Sequence, residues 1–393
     1  MSYGLNIDRI KKHAKYFMRF LDVLPANLAS HDCTRGTIVF FAVCGLDVLN
    51  SLDLITEARR KHIIDWIYGN LVTPRPEHRC CSGFQGGRFV MIKNDNEELL
   101  ENVRCFQWGH LAMTYTSIGV LITLGDDLSR LDRKIIVDGV AAVQRSDGSF
   151  SACIDGSEHD MRFVFCAAAI CHMLDYWGDV NKEKMYQFIM NSIRYDNGFS
   201  QHTYGEGHGG TTYCALAALE LSGQLNRISA AALEDIKRWC IFRQVNGFQG
   251  RPNKPADTCY SFWIGAALQI LNAFHLTDFD SNRSYVLETQ DNVVGGFAKW
   301  PQSTTDPFHT YLGICGLTFT EKGGESLLAE IMPSLNISKR AYENLKILHS
   351  KWSFQNVEDG YQGTFRNLAK ELTETKISVE EDELVTSPLI RAQ

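Results

Sequence analysis

Two kinds of helix-length segment alternate along this chain. One kind is apolar nearly all round and rich in small and aromatic residues: 110–124 (HLAMTYTSIGVLITL), 161–174 (MRFVFCAAAICHML), 210–221 (GTTYCALAALEL), 257–271 (DTCYSFWIGAALQIL) and 309–319 (HTYLGICGLTF). A helix with no polar face is buried on both sides. The other kind carries a single apolar stripe, as in 231–244 (AALEDIKRWCIFRQ), and reads as half-exposed. Period-two alternation is nearly absent, so the pattern predicts an all-α protein.

The alternation keeps time with a loop signal. Gly83-Phe84, Gly148-Ser149-Phe150, Gly198-Phe199, Gly247-Phe248 and Gly296-Phe297 punctuate the chain, and the last four phenylalanines stand 49 residues apart. Aromatic anchors recur in the apolar segments at Tyr115, Phe165, Tyr213, Tyr260 and Tyr311. Repeats of this length share one continuous core, because no unit buries its own apolar face. One buried and one half-exposed helix per repeat predicts an α/α toroid, an inner ring of helices inside an outer one. Glycine permits the tight loops, and each phenylalanine pins its loop to the core.

At the N-terminus Ile7, Ile10, Ala14, Phe17 and Leu21 follow helical spacing, with Arg9, Lys11, Lys12, Lys15 and Arg19 among them. This is an amphipathic packing helix, not a signal peptide, which needs an uninterrupted apolar run. The longest apolar stretch, Thr37–Cys44, is too short to span a bilayer. The helical pattern fades near Ser350, so the toroid is expected over 1–350 and an acidic, partly disordered tail over 351–393.

Composition adds exclusions. Hydrophobic residues make up 45% and charged residues 22%, as in an ordinary soluble protein, and a net charge of -7 gives no nucleic-acid footprint. Most of the twelve cysteines fall in apolar runs, as Cys44, Cys166, Cys171, Cys214 and Cys315 do, and read as small core residues. The Cys80-Cys81 pair lacks zinc-knuckle spacing. The expected location is the cytoplasm.

The repeat also gathers chemistry. Residues one period apart become neighbours on adjacent units, so Asp257 and Cys259 at the start of one buried helix meet His309 at the start of the next. A carboxylate, a thiolate and an imidazole are three zinc ligands, and a fourth, open position makes such a site catalytic. His208, in a glycine-rich stretch, lies one period before Asp257, with Arg251, Lys254 and Lys299 on the following loops. Backbone amides at a helix start together with basic side chains bind anions, and this register favours a diphosphate. Asp126-Asp127 and Asp32-Cys33-Thr34-Arg35 depart from the acid motifs of polyprenyl synthases and terpene cyclases and read as loops or helix ends.

These strings resemble the β subunits of protein prenyltransferases, most closely those of the type I geranylgeranyl class. The likeness spans roughly 7–350 and is densest over 250–264, 294–301, 306–317, 157–167 and 110–116. It implies one zinc held by Asp257, Cys259 and His309, and a diphosphate held by His208, Arg251, Lys254, Tyr260 and Lys299. It also implies a lipid cavity lined by Thr37, Phe41, Tyr115, Arg162, Cys214 and Trp263, with His110, Ala112 and Phe163 around the last residue of a peptide. Thr37 stands where farnesyl enzymes have a tryptophan, and Lys299 where they have a magnesium-binding aspartate. The resemblance therefore implies geranylgeranyl diphosphate as donor and no need for magnesium. The acceptor would be a cysteine in C-terminal CaaX motifs, of small GTPases for example, with Leu or Phe last. Catalysis is assigned to Asp257, Cys259, His309, Lys299 and Tyr260, and a helical α subunit is the implied partner. Competing readings are a farnesyl or Rab-type β subunit, a terpene-cyclase toroid, and a non-enzymatic toroid of the thioester-domain kind.

Overall fold

A computed structural model of the protein describes residues 5–24, 26–74, 82–88, 107–154, 156–321 and 326–353. The chain divides into two compact units, Met1–Asn344 and Leu345–Gln393. The second is described only over 345–353, which is helical. Cys80-Cys81 and nearly all of the acidic tail lie outside the described residues.

In the first unit six helices form a closed ring: α2 (Arg35–Val48), α4 (Leu111–Thr123), α6 (Met161–Met173), α8 (Gly209–Leu221), α10 (Tyr260–Ile270) and α12 (Pro307–Thr318). Each contacts the next, and α12 closes back on α2. Outside them lie α1 (Ile7–Phe20), α3 (Glu57–Tyr68), α5 (Arg133–Ala142), α7 (Lys182–Asn191), α9 (Ala230–Ile241) and α11 (Phe279–Glu288). The α/α toroid follows, with one addition to the sequence reading. The apolar stretch read above as too short to span a bilayer is the inner helix α2, with Phe40, Ala42, Val43, Cys44 and Leu46 fully buried.

Local chemistry sets where helices start. Thr56, Asp132, Asn181, Ser229 and Asp278 cap α3, α5, α7, α9 and α11, each side chain accepting from the backbone N–H three residues on. Four inner helices are capped by a different series: His110, Asp160, His208 and Asp306 accept from Ala112, Arg162, Gly210 and His309 respectively, and Asp257 accepts from Cys259 in the turn just before α10. Candidate chemistry thus occupies the same structural position in successive repeats, at the N-terminal rim of the ring.

The Gly-Phe loops lie beneath this rim. Phe84, Phe150, Phe199, Phe248 and Phe297 are all fully buried. In the last four loops the phenylalanine forms a single β-bridge to the end of the preceding outer helix, to Gln144, Ile193, Gln244 and Gln290. On alternate inner helices a threonine holds the loop. Thr114, Thr212 and Thr310 accept the N–H groups of Phe84, Phe199 and Phe297 at 2.9, 3.1 and 2.9 Å. The next residue on each helix is a tyrosine that points inward. Tyr115, Tyr213 and Tyr311 donate to the carbonyls of Leu335, Pro333 and Asn336 at 2.8, 2.9 and 2.6 Å. These carbonyls belong to the turn of a hairpin, β1 (Ile331–Met332) with β2 (Ile337–Ser338), which plugs one end of the ring.

The anchor series needs one correction. Tyr260 is not its member on α10. Phe262 is, fully buried with its ring 5.2 Å from that of Tyr213. Tyr260 sits two residues earlier, where a helix of 3.6 residues per turn faces another direction.

Candidate metal centre and the cavity beside it

Asp257, Cys259 and His309 come together, each offering a donor atom within 4.8 Å of the others. Asp257 and Cys259 precede α10 and His309 lies in the first turn of α12, so adjacent inner helices supply the set. His309 Nε2 is 3.3 Å from Asp257 Oδ1. Two ligands of one tetrahedral ion, with bonds of about 2.0–2.3 Å, stand roughly 3.3–3.6 Å apart, so this donor set fits zinc. On the other side of the ring Nδ1 is 2.6 Å from Asp306 Oδ2. Asp306 thereby caps α12 and orients the imidazole at once.

The electrostatics favour a cation. Burial works against a charged His309, but hydrogen bonds to Asp257 and Asp306 raise its pKa to about 9. Burial also works to raise Asp257, yet bonds from His309 and the Cys259 N–H leave its carboxyl below the ordinary range. Burial and the Asp257 carboxylate push the Cys259 thiol well up, with Lys299 opposing them. Without a cation, Cys259 is a neutral thiol beside a carboxylate. Lys299 Nζ stands 3.8 Å from Asp257 Oδ2 and over the Trp300 ring.

One repeat back, Tyr260 Oη lies 2.8 Å from His208 Nε2, and His208 Nδ1 accepts from Gly210 at the start of α8. Burial, then the nearby Arg251, lowers the His208 pKa, and burial raises that of Tyr260. Arg251 pairs with Glu206 at 2.9 Å. Lys254 is exposed on the turn that follows Arg251.

A cavity of about 800 Å³ opens inside the ring next to these groups. Thr37, Phe41, Tyr115, Arg162, Cys214 and Trp263 all line it, as do Ala112, His208 and Arg251. Its apolar lining is mainly aromatic, from Phe40, Phe41, Tyr115, Phe165, Trp263 and Phe308, as ligand cavities of this size commonly are. Of the three residues assigned to a peptide, only Ala112 lines it. His110 and Phe163 meet at the rim instead, ring centroids 5.9 Å apart. Asp160 holds Arg162 through both carboxylate oxygens and accepts from Gln201 at 2.7 Å.

Sequence reasoning passed over Asp306, Glu206 and Asp160. Asp306 was within reach, since it falls 49 residues after Asp257 in the same capping register. Glu206 carried no periodic signal, and its pairing with Arg251 exists only across a loop.

An inner ring of helices, with potential metal ligands at the helix starts and an apolar cavity inside, defines a toroidal protein with a candidate metal site. The chain belongs to the prenyltransferase α-α toroid family, whose model matches residues 9–337. Its relatives place it in the branch of geranylgeranyl transferase type-1 β subunits. It is 36% identical to that subunit of Dictyostelium discoideum over 84% of this chain and 95% of the relative. It is 35% identical to the Arabidopsis thaliana subunit over 83% and 88%. Identity with the protein farnesyltransferase β subunit of Schizosaccharomyces pombe is 29%, over 79% and 77%. Among solved structures, a Candida albicans protein geranylgeranyltransferase-I complexed with GGPP superposes with a TM-score of 0.76 at 26% identity, covering 88% of this chain and 99% of that one. Among the described residues, no helix is long and apolar enough to cross a membrane.

Proposed function

We propose that this chain is the catalytic β subunit of a zinc-dependent enzyme that moves a geranylgeranyl group from its diphosphate to the thiol of a C-terminal CaaX cysteine. The observation that carries this is the Asp257–Cys259–His309 set together with an aromatic-lined cavity, which Trp263 and Phe308, the latter packed against His309, help to wall. Zinc, when bound, acts as a Lewis acid that lowers the pKa of a coordinated thiol from about 8.5, so that thiolate is available at neutral pH. Asp257, Cys259 and His309 would hold one ion per chain. The wide cavity, with the small Thr37 in its wall, would take the isoprenoid and exclude water from it.

Transfer breaks the bond between C1 and the diphosphate oxygen as sulfur attacks, and negative charge grows on the leaving group. His208, Arg251, Tyr260 and Lys299 would meet that charge, aided by the N-terminus of α8. Lys254, exposed on the turn after Arg251, would join them. Lys299 is the group that would make magnesium unnecessary, since a tethered ammonium close to the metal ligands does the work of a recruited ion. His110, Ala112 and Phe163 would meet the last residue of the peptide from the rim. An α subunit is the expected partner, and the free cysteines among the described residues suit the reducing cytoplasm.

The test is to express the chain with a prenyltransferase α subunit and compare geranylgeranyl and farnesyl diphosphate as donors to CaaL and CaaS peptides. Preference for the longer donor with CaaL, lost on removal of zinc, is the expected result. Preference for the farnesyl donor, or activity untouched by zinc removal, would overturn the reading.

A further inference from the structure

Thr258 stands between the two paired ligands Asp257 and Cys259, is fully buried and does not line the cavity. Its contacts run to every other part of the centre. The backbone N–H donates to the Lys299 carbonyl at 3.0 Å. The hydroxyl donates to the Ala298 carbonyl at 2.6 Å, with the Lys299 carbonyl and the Thr289 hydroxyl each 3.1 Å away. The methyl faces the opposite way, onto bare backbone of α12. A Cβ added at Gly313, one turn after His309, would come within 2.8 Å of Thr258 Cγ2. One small side chain thus touches the loop that carries Lys299, the end of α11 and the helix that carries His309, while its two neighbours face the metal site.

We infer that Thr258 is a positioning residue that sets both the spacing of the Asp257–Cys259 pair against His309 and the reach of Lys299. A β-branched hydroxyl is suited to this. Its oxygen secures the loop, its methyl gauges the distance to α12, and branching at Cβ restricts it to few rotamers. Groups that orient metal ligands from behind are worth about 10–100-fold in metal affinity. The inference rests on the zinc centre proposed above.

The experiment uses the zinc-loaded heterodimer and two readouts, zinc release to a chromogenic chelator and single-turnover transfer. Thr258→Val keeps the shape and removes the hydroxyl. It is expected to weaken zinc retention by about 10-fold or more and to slow the transfer step, with geranylgeranyl diphosphate affinity changed less than about 3-fold. Thr258→Ser, which restores the hydroxyl but not the methyl, is expected to recover the transfer rate and part of the zinc retention. Gly313→Ala, which presses on the methyl and leaves the hydroxyl in place, should also loosen zinc. The double variant with Thr258→Ser should regain it, because serine lacks the methyl; this pair serves even if the valine variant fails to fold. Wild-type zinc release and transfer in Thr258→Val would overturn the role of the hydroxyl and with it the inference. Gly313→Ala without effect, or not relieved by serine, would overturn it equally. A wild-type heterodimer that retains no zinc would instead overturn the metal centre itself.

Discussion

Asp306 ties the backbone and the side chain of His309 together. One carboxylate oxygen of Asp306 accepts the His309 backbone N–H at 2.9 Å, and the other lies 2.6 Å from Nδ1 of the same residue. The cap that starts α12 therefore fixes the imidazole so that Nε2 faces Asp257.

Asp306→Asn keeps a capping oxygen but removes the charge behind the imidazole. Zinc affinity should fall by about 10–100-fold, measured by competition with a chelator, while thermal stability changes little because asparagine is as good a cap. An unchanged affinity would mean that Asp306 only starts the helix.

Thr37 should set the length of lipid accepted. It lines the cavity, and its hydroxyl lies 3.6 Å from the Met113 sulfur. Thr37→Trp would fill this wall, and overpacking typically costs about 1–3 kcal/mol. That corresponds to a roughly 5- to 150-fold loss with geranylgeranyl diphosphate and little with the farnesyl donor. Equal losses with both donors would place the residue outside the gauge.

Turnover should depend on zinc and not on magnesium. With its ammonium 3.8 Å from Asp257, Lys299 is close enough to the centre to meet charge that develops on a leaving diphosphate. Lys299→Ala should lower the single-turnover rate constant more than it weakens lipid binding, since the interaction grows in the transition state. Lys299→Asp should be slow and recover as millimolar magnesium is added. Magnesium dependence in the wild type would refute the assignment.

His13 should make stability depend on pH. It is fully buried on α1, stacks on Phe297 with centroids 4.7 Å apart and accepts the Gly296 N–H at 2.9 Å. Burial lowers its pKa from 6.5 to about 4, with a bond to Gln290 partly offsetting this and Arg9 adding to it. The folded protein resists a proton that the unfolded chain accepts, so its stability is intact above about pH 6.5 and declines as pH falls toward 4. At 1.36 kcal/mol per unit this is about 3 kcal/mol at most. His13→Gln should flatten the decline in urea melts between pH 7 and 5. A slope identical to the wild type would assign the pH dependence to other groups.

Much of this protein is present in the one-dimensional pattern, for a reason particular to repeats. A period near 49 converts distance along the chain into contact between adjacent units, so His208, Asp257 and Asp306 occupy one register without any knowledge of the fold. All-round apolarity marked five inner helices, and the Gly-Phe spacing marked the loops between them. The sixth helix, α2, escaped because its repeat lacks the shared period, and periodicity finds only what recurs. Tyr260 was misread as an anchor because a shift of two residues changes the face of a helix, while the spacing of 47 still looked regular.

What only the folded chain decided is the set of contacts between groups with no periodic relation. The Arg251–Glu206 pair, the grip of Thr258 on the Lys299 loop and the three tyrosines that hold the 333–336 turn are of this kind. So is His13, drawn onto Gly296 from 283 residues away. Hydrophobic periodicity specifies which face of a helix is buried, but burial is non-directional. Hydrogen bonds and ion pairs need an angle and a partner at about 3 Å, and only ring closure supplies both.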